Sequence, residues 1–371
     1  MRLNYSRDSA YESKEEKFMK NVKVIIWGLG AMGSGMARML LKKKGVDIVG
    51  GIDIGAKLGK SLYEVVGVER GDREEVIVGT KEEVITEKAA DVVLLCTDSF
   101  TAKAFDKIKF ILEKKINVIT TAEEMAYPQA QEPELAKQMD EIAKANGVSV
   151  LGTGINPGLI MDLLVVIMTG CMEDVESILS RRVNSLSPFG PAVMEEQGIG
   201  LEVAKFNELK AAGKMTGHVG FPESINMIAD AIGWKVDKIE QDMEPIVTDV
   251  DRKSPYGFAK AGNVAGVAMK GWGYVNGGQK LIEMDHPQQI EPEQVGINTG
   301  DYVIIKGTPS INMINSPEVE GGIGTMAMCV NMIPHIINAR PGLQTMLTLP
   351  VPRAIMGDMR DQICEDAKIV K

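Results

Sequence analysis

The amino-acid sequence predicts an α/β fold: a doubly wound parallel sheet followed by a second α+β domain built on a mixed, open sheet. The first part is indicated by short apolar runs that alternate with amphipathic helical patterns up to about residue 151, and by a glycine-rich turn after the first run. The second part follows from a change past Gly152, where several β-type runs succeed one another with few helices between them.

Composition limits the classes of partner. The 371 residues are enough for two domains, and the net charge of −10 without a basic run argues against nucleic acid or an anionic membrane as partners. The longest apolar stretch, Leu159–Met172, contains Asp162 and falls short of the ~20 residues of a membrane span. Four widely separated cysteines and three scattered histidines indicate reduced thiols in a cytoplasmic location, with no metal site.

The glycine-rich turn has the G-x-G-x-x-G spacing of a Rossmann dinucleotide-binding fold, and it lies between an apolar run and an amphipathic run. A strand ends at Asp53, twenty residues past Gly33, where an acid meets the adenosine ribose. Asp53 favours NAD, whereas Lys57 suits the 2′-phosphate of NADP, so we expect either cofactor to be used. The residues predicted here to bind the cofactor are Gly28, Leu29, Gly30, Ala31, Met32, Gly33, Asp53 and Lys57.

Elements of the first half follow from apolar and helical periodicity. The predicted strands are Val22–Trp27, Val46–Ile54, the short edge element Ile77–Val78, Asp91–Thr97, Asn117–Thr121 and Val148–Leu151. The predicted helices are Met32–Lys43, Ala102–Lys114 and Pro133–Ala145. Because Asp91–Thr97 is almost continuously apolar, it is typical of a strand that is buried on both faces of a parallel sheet.

The second half is less regular. Its predicted strands are Val175–Leu186, Gly262–Tyr274, Gln279–His286 and Tyr302–Lys306. Its predicted helices are Leu159–Met172, Leu201–Ala212, Glu223–Ile232 and Gly321–Ile337. Since open sheets of this kind often form subunit interfaces, we expect a homodimer.

We divide the chain into four segments. Residues 1–18 are polar, lack the apolar core of a signal peptide, and are expected to form a disordered or loosely attached leader. Residues 19–155 form the dinucleotide-binding domain and residues 156–340 the substrate-binding and dimerisation domain. Residues 341–371, which are rich in proline, are expected to form an irregular tail that packs back on the first domain.

Polar residues gather after the strands, at the carboxyl edge of the sheet where open α/β folds bind ligands. Those predicted to contact the cofactor are Thr97, Asp98, Ser99 and Thr121. The acid pair Glu123 and Glu124 follows the same strand as Thr121. A partly desolvated carboxylate there suits a general acid or base, and the alternative is a solvated pair at a helix start.

The loop after the last parallel strand of the first half carries Asn156 and Pro157. Asn156 is predicted to contact both the nicotinamide and the substrate, and the alternative is a helix start with Asn156 as N-cap and Pro157 at the first position. Arg181 and Arg182 are neighbours in a predicted strand, so their side chains point to opposite faces. The one that faces the active edge suits a substrate carboxylate, although most strand arginines are solvated.

The three histidines have different contexts. His218 lies in a glycine-flanked loop, where contact with a ligand and a satisfied structural role are both open. His335 follows Pro334 in an apolar helical region and is predicted to be packed. His286 precedes Pro287 and is predicted to lie in a turn.

Five motifs carry a family resemblance, namely Ile26–Gly33, Thr120–Met125, Gly152–Asp162, Gly217–Ser224 and Ile333–Gly342. Together they resemble the 2,4-diaminopentanoate dehydrogenases and the related native amine dehydrogenases. The resemblance extends from about Met19 to Asp358, and the second and third motifs are far more specific than the first. More distantly, the plan resembles dihydrodipicolinate reductase and diaminopimelate dehydrogenase.

The resemblance implies an NAD- or NADP-dependent oxidative deamination of 2,4-diaminopentanoate at C4, which gives 2-amino-4-oxopentanoate and ammonia in ornithine breakdown. In that family an acid after the fifth parallel strand binds and activates the amine. Glu123 matches this catalytic position best, with Glu124 as the alternative. The substrate-binding residues implied are Asn156, Pro157, Arg182 and His218.

Two other functions compete with this interpretation. One is an imine reductase like dihydrodipicolinate reductase or another amine dehydrogenase, but the basic substrate-binding motif of that reductase is absent. The other is a non-catalytic sensor of NAD(P). Acids and an arginine that converge on the nicotinamide edge would favour catalysis, whereas an occluded or shallow pocket would favour sensing.

Overall fold

A computed structural model gives the structure of residues 20–367, so the predicted leader lies outside the described residues. The strands are β1 (Val22–Trp27), β2 (Val46–Ile52), β3 (Val78–Gly79), β4 (Val92–Leu95), β5 (Asn117–Thr120), β6 (Ser149–Gly152), β7 (Asp174–Ser185), β8 (Val236–Val247), β9 (Arg252–Lys253), β10 (Phe258–Ala259), β11 (Val264–Val275), β12 (Gln279–Gln289), β13 (Gly300–Thr308), β14 (Ile311–Asn315) and β15 (Gly342–Gln344). The α-helices are α1 (Ala31–Leu40), α2 (Leu62–Val66), α3 (Lys81–Val84), α4 (Thr101–Glu113), α5 (Pro133–Asn146), α6 (Leu163–Thr169), α7 (Pro191–Glu196), α8 (Val203–Ala211), α9 (Phe221–Ile232), α10 (Gly321–Asn331) and α11 (Ile333–Ile337).

The first sheet contains seven parallel strands in the order β15-β6-β5-β4-β1-β2-β3. Helices cover both of its faces, and successive residues of β1 therefore enter different cores. Val24 and Ile26 pack on one side, whereas Ile25 and Trp27 pack on the other. The predicted doubly wound parallel sheet is confirmed, and the continuous apolar runs of its strands follow from burial on both faces.

The second sheet has six strands in the order β14-β13-β7-β12-β11-β8. Strands β7 and β12 are parallel and the other pairs are antiparallel, so the predicted mixed sheet is confirmed. One face of this sheet packs against helices α6 and α9 through a core that includes Phe221, Ile225 and Val267. This packing places the start of α9 beside the first sheet.

Several elements differ from the sequence prediction. Strand β8 was not predicted, because it is a largely exposed edge strand with many charged residues and Pro245. Helix α6 begins only at Leu163, where the Asp162 carboxylate caps it by accepting from the Leu163 backbone N–H at 2.6 Å. The predicted helix Gly321–Ile337 is divided at Met332 into α10 and α11, with Pro334 in the first turn of α11.

The C-terminal part of the chain returns to the first sheet. Helices α10 and α11 contribute Met328, Val330, Ile333 and Ile336 to one core of that sheet. The segment predicted to be an irregular tail contains β15, which extends the sheet by pairing with β6. The predicted domain limits at 155 and 340 stay a prediction, and this packing leads us to propose that residues 321–337 belong with the dinucleotide-binding domain.

Candidate active site

The candidate site lies at the carboxyl edge of the first sheet. Strands β6, β5, β4, β1 and β2 are successive neighbours there, and the loops that follow them carry the predicted functional residues. The loops touch one another: the Glu124 N–H donates to the Ser99 carbonyl at 3.1 Å, and the Thr121 N–H donates to the Leu95 carbonyl at 3.1 Å. One edge thus brings together residues that are more than a hundred positions apart in the chain.

The glycine turn links β1 to α1 with the backbone geometry that a dinucleotide requires. Gly28 has φ +96°, and a Cβ on Gly33 would lie 1.9 Å from the Gly28 carbonyl oxygen. Both positions therefore need glycine. A Cβ on Gly30 would meet no atom within 4 Å, so this glycine leaves open space in front of the helix N-terminus. That space and the free N–H groups of the helix start fit a pyrophosphate.

The remaining residues of the turn have different surroundings. Leu29 is buried in the core, and its carbonyl accepts from the Ser34 hydroxyl at 2.9 Å. Ala31 is exposed at the first position of α1, and Met32 is half-buried beside it. Ala31 and Met32 thus flank the open space in front of Gly30, whereas the Leu29 side chain faces away from it.

Asp53 is held against the glycine turn at the end of β2. Its carboxylate accepts from the Leu29 N–H at 2.7 Å and forms an ion pair with Lys57 at 2.9 Å. Burial alone would raise the pKa of Asp53, but the hydrogen bonds from Lys57, Ile54 and Leu29 outweigh it and lower the pKa. Asp53 is therefore ionised, and its negative charge compensates the positive charge of Lys57 in their ion pair. This arrangement favours a ribose diol over a 2′-phosphate.

The segment after β4 separates into two roles. The Asp98 carboxylate pairs with Lys107 at 2.6 Å and accepts from the Thr97 hydroxyl at 2.5 Å. Ser99 instead lies beside Glu123, and its side chain opposes the rise in the pKa of Glu123 that desolvation causes. The cofactor roles predicted for these residues stay predictions, with the Asp98 charge already balanced by Lys107.

The two acids after β5 have unlike environments within one short 3₁₀ turn. Glu124 is engaged structurally, because its Oε2 accepts from the Thr101 N–H at 2.7 Å, at the start of α4. Burial raises the pKa of Glu123, and the nearby carboxylates of Glu196 and Glu124 raise it further. A carboxyl group with a raised pKa is suited to proton transfer near neutral pH. The geometry therefore favours Glu123 over Glu124 as the acid/base.

A third acid, Glu223, lies beside this pair and was not predicted as a site residue. It is fully buried in the first turn of α9, and its Oε1 accepts from the Gln131 amide at 2.7 Å, while its Oε2 has no hydrogen-bond partner among the described residues. Gln131 also reaches Glu124 at 3.5 Å. Burial raises the pKa of Glu223 to about 7.

The loop with Asn156 and Pro157 faces the second sheet. A cis peptide bond joins the two residues, and the buried Pro157 packs against Gly220 just before α9. The Asn156 amide contacts the Nδ1 of His286 at 3.4 Å. His286 was predicted to lie in a turn, and this prediction is wrong: β12 continues through Pro287 to Gln289, which buries the His286 side chain.

His218 stacks edge-on against His286, with ring centroids 4.7 Å apart, and also contacts Phe221 at 5.3 Å. Its Nε2 is buried without a partner among the described residues. Burial, together with the nearby Arg182 charge, lowers the pKa of His218 to about 3. The ring is therefore neutral at physiological pH, which excludes an imidazolium at this position.

Arg182 is 2% exposed on β7 and forms a buried ion pair with Asp301 of β13. It also donates to the Val319 carbonyl at 2.5 Å. Its neighbour Arg181 points to the other face and pairs with Asp285 at 3.2 Å. The opposite orientation of the two side chains is as predicted, but the Arg182 charge is already compensated. A role for Arg182 in binding a substrate carboxylate stays a prediction.

The described residues lack two features, a membrane-spanning helix and a cluster of metal ligands. Among residues 20–367, no helix is long and apolar enough to cross a membrane. The same residues contain no group of three or more His, Cys, Asp or Glu side chains placed to hold a metal ion. The site therefore consists of acids, amides and neutral histidines around a dinucleotide turn.

Comparison with known proteins agrees with this geometry. The sequence profile of the 2,4-diaminopentanoate dehydrogenase C-terminal domain matches residues 159–365. The chain is 77% identical, over 95% of its length and all of the relative's, to 2,4-diaminopentanoate dehydrogenase from Acetoanaerobium sticklandii. The chain belongs to the 2,4-diaminopentanoate dehydrogenase family. The resemblance drawn from the five motifs is thereby confirmed.

Solved structures with a similar fold include an amine dehydrogenase. The amine dehydrogenase from Mycobacterium smegmatis superposes with a TM-score of 0.81 at 25% identity, over 91% of this chain and 98% of that one. A scyllo-inositol dehydrogenase from Lactobacillus casei, solved with bound NAD(H), has a TM-score of 0.51 at 13% identity over 85% and 89% of the two chains. The second likeness shows the shared fold alone.

Three residues of the site were missed from the sequence, and each left a trace there. Asn184, whose Oδ1 lies 2.8 Å from Nε2 of His286, is two positions after Arg182 in a predicted strand and so shares its face. His286 stands at the end of a predicted strand. Glu223 lies four positions before Met227, on the apolar side of a predicted helix, where a charged residue is unusual.

Proposed function

We propose that this chain catalyses the NAD(P)-dependent oxidative deamination of 2,4-diaminopentanoate at C4, which yields 2-amino-4-oxopentanoate and ammonia. Membership of the family supports the substrate, since the relative at 77% identity is a 2,4-diaminopentanoate dehydrogenase. The observation that carries the mechanism is the half-buried Glu123, whose pKa is raised by desolvation, at the same sheet edge as the dinucleotide turn.

NAD or NADP fits the first sheet. The N–H groups at the start of α1 and the open space at Gly30 would hold the pyrophosphate. Asp53 would accept hydrogen bonds from the adenosine ribose, and Lys57 would meet a 2′-phosphate only by leaving its ion pair with Asp53. We therefore propose that NAD is the better cofactor and that NADP is tolerated. When bound, the nicotinamide supplies the hydride acceptor.

We propose that Glu123 carries out the proton transfers at the C4 amine. Glu123 accepts a proton from the C4 ammonium, directly or through water, so that the amine is neutral when C4 loses its hydride. Glu123 passes this proton to solvent, and its carboxylate then takes a proton from the water molecule that adds to the substrate iminium. It returns that proton to the amino nitrogen of the carbinolamine, so that ammonia leaves and the carbinol O–H loses its proton to give the 4-oxo product. Ser99 lies beside Glu123 and would orient its carboxylate, and burial keeps the pKa of Glu123 above that of a free glutamate.

A substrate panel tests this function. The purified protein is supplied with NAD or NADP, and NAD(P)H formation is followed with 2,4-diaminopentanoate, 2,5-diaminohexanoate, diaminopimelate and simple 2-amino acids. We expect the highest kcat/KM with 2,4-diaminopentanoate and production of ammonia in equal amount to NAD(P)H. Turnover of diaminopimelate alone would contradict the proposal.

Three further properties are proposed on the same basis. A homodimer through the open face of the second sheet is supported by the half-buried aromatic side chains of Trp272, Tyr274 and Tyr302 on its strands.

A cytoplasmic location is supported by cysteines that form no disulfide in the described residues. A place in ornithine degradation follows from the substrate. Sedimentation equilibrium tests the dimer, which a monomer mass would contradict.

A further inference from the structure

A chain of hydrogen bonds leads from β7 to the loop between β6 and α6. Asn184 on β7 donates from its Nδ2 to the Ser185 carbonyl at 3.3 Å. This contact orients the Asn184 amide, because only its nitrogen can donate to a carbonyl oxygen. Its Oδ1 is therefore the atom that meets His286 Nε2 at 2.8 Å. Since Oδ1 only accepts, Nε2 of His286 carries a proton.

The protonation state of the other ring nitrogen of His286, Nδ1, follows from the net charge of the ring. Burial, together with the neighbouring His218 and the positive charge of Arg182, lowers the pKa of His286 well below that of a free histidine. The charged groups near the His286 ring are Arg182 of β7 and its ion-pair partner Asp301 of β13, and the titratable neighbour is His218, in the loop before α9. His286 is therefore neutral, and with Nε2 protonated its Nδ1 is an acceptor.

Asn156 is the last member of the chain. His286 Nδ1 lies 3.4 Å from the Asn156 amide, and as an acceptor it takes a hydrogen bond from Asn156 Nδ2. The Asn156 Oδ1 must then point the other way. That oxygen is buried and has no hydrogen-bond partner among the described residues. A buried acceptor of this kind is costly unless a ligand pairs with it.

We propose that Asn184 and His286 are positioning residues that fix the amide of Asn156, so that its Oδ1 accepts a hydrogen bond from an N–H group of the bound ligands. This inference rests on the proposed function, which supplies two sources of that chemistry. One is the carboxamide of the nicotinamide, and the other is an ammonium group of the diamino acid. An oxygen acceptor suits both, whereas an amide in the reverse orientation would present N–H groups to them.

The test compares two replacements of one residue. His286→Gln keeps a donor for Asn184 and an acceptor for Asn156, whereas His286→Leu removes both. We expect His286→Gln to stay within about threefold of wild type, and His286→Leu to lose about tenfold or more in ligand affinity, the worth of about one hydrogen bond. The readouts are the Kd of NADH by fluorescence and KM with 2,4-diaminopentanoate and with 4-aminopentanoate.

Each of these measurements identifies which ligand group donates the N–H to the Asn156 Oδ1. A change in the Kd of NADH assigns the carboxamide, a change in KM for the diamine alone assigns the 2-ammonium, and a change for both amines assigns the 4-amine. Unchanged Kd and KM in His286→Leu, or equal damage by both replacements, would overturn the inference. The NADH measurement needs no turnover, so it stands even where the substrate panel fails.

A second variant tests the direction of the hydrogen bonds that link Asn184, His286 and Asn156. Asn184→Asp puts a carboxylate beside His286, which favours an imidazolium whose Nδ1 would donate and force the Asn156 amide to turn. We expect the loss of kcat/KM as the pH falls toward 6 to be larger than in wild type and than in the exposed control Asn312→Asp on β14. The ¹⁵N NMR spectrum of the three histidines should show His286 as a neutral Nε2–H tautomer in wild type. An imidazolium or an Nδ1–H tautomer there would refute the assignment.

Discussion

At the scale of single residues, the site depends on which carboxylate is left without a structural task. Glu124 accepts a hydrogen bond from the Thr101 N–H at the start of α4, whereas no such structural contact occupies Glu123 among the described residues. Neighbouring residues of the same type thus acquire different roles from their surroundings. From the sequence, only the family resemblance ranked Glu123 above Glu124, because both acids follow the same strand.

Replacement of Glu123 tests this division of roles. We expect Glu123→Gln to lower kcat by about 10²–10⁴-fold, since it removes the acid/base while keeping a similar shape. The Kd of NADH should change little, because Glu123 does not belong to the dinucleotide turn. Steady-state kinetics and NADH fluorescence measure the two effects, and Glu124→Gln is the matched control. Wild-type kcat in Glu123→Gln at neutral pH would refute the assignment.

The buried Glu223 predicts a pH dependence of stability. Its pKa is raised to about 7 in the folded protein from 4.5 in the unfolded chain, so folding takes up a proton there. The stabilisation from protonated Glu223 is complete below about pH 4.5 and is lost as the pH rises through about 7. Glu223→Gln lacks this loss, and its free energy of unfolding should rise relative to wild type by on the order of 3 kcal/mol between these limits.

Urea unfolding at a series of pH values measures this difference. Other acids with raised pKa values, such as Glu123 and Asp162, are present in both proteins and cancel in the comparison. The exposed Glu141→Gln on α5 is the control, and it should run parallel to wild type. A constant difference between Glu223→Gln and wild type from pH 5 to pH 8 would contradict the raised pKa.

At the scale of elements, two glycines of the same turn have different roles: Gly33 allows the helix to pack on the strand, and Gly30 leaves space for the cofactor. Gly33 is required because its Cβ would overlap the Gly28 carbonyl, whereas Gly30 has space for a methyl group and a backbone, φ −73° and ψ −157°, that alanine tolerates. Gly30→Ala should keep the wild-type Tm but raise the Kd of NADH by about tenfold or more. Gly33→Ala should lower stability by about 1–3 kcal/mol as well. Thermal unfolding and NADH titration distinguish the two, and equal Tm values for both variants would contradict this account.

Elements with strong periodicity were predictable, and those stabilised by tertiary pairing were not. The strand Val22–Trp27 and the first glycine turn follow from local pattern, because a buried strand needs an apolar run. Strand β8 is exposed and charged, and only its pairing with β11 reveals it. His286 was misplaced for a similar reason: Pro287 suggested a turn, yet the parallel and antiparallel neighbours of β12 carry the strand through it.

At the scale of the whole molecule, the two sheets are bound together by the return of the chain. Helices α10 and α11 complete the core of the first sheet, although they follow the second sheet in sequence. No local pattern in the sequence predicts this crossing, because helices of similar apolar character could cover either sheet. The residues of the candidate active site come from both sheets, so this return of the chain completes the part of the molecule on which the site is built.

A shortened chain tests the importance of this return. A protein ending at Glu320 loses α10, α11 and β15, and it exposes the apolar side of the first sheet that Met328, Ile333 and Ile336 cover. We expect it to aggregate or to lose cooperative unfolding in urea, and to lose NADH binding. A chain ending at Ala367 is the control. Wild-type affinity for NADH in the shorter protein would show that the first sheet is complete without these elements.

The late return of the chain also constrains biosynthesis. Lys43 donates to the Ile355 carbonyl at 2.8 Å across 312 positions of sequence. At ~5–20 residues per second, the ribosome needs roughly 15–60 s to synthesise the intervening segment. Throughout that time the nucleotide-binding half, although made first, has an uncovered apolar side. The nascent polypeptide is thus a natural client for chaperones, and its cofactor site matures only at the end of translation.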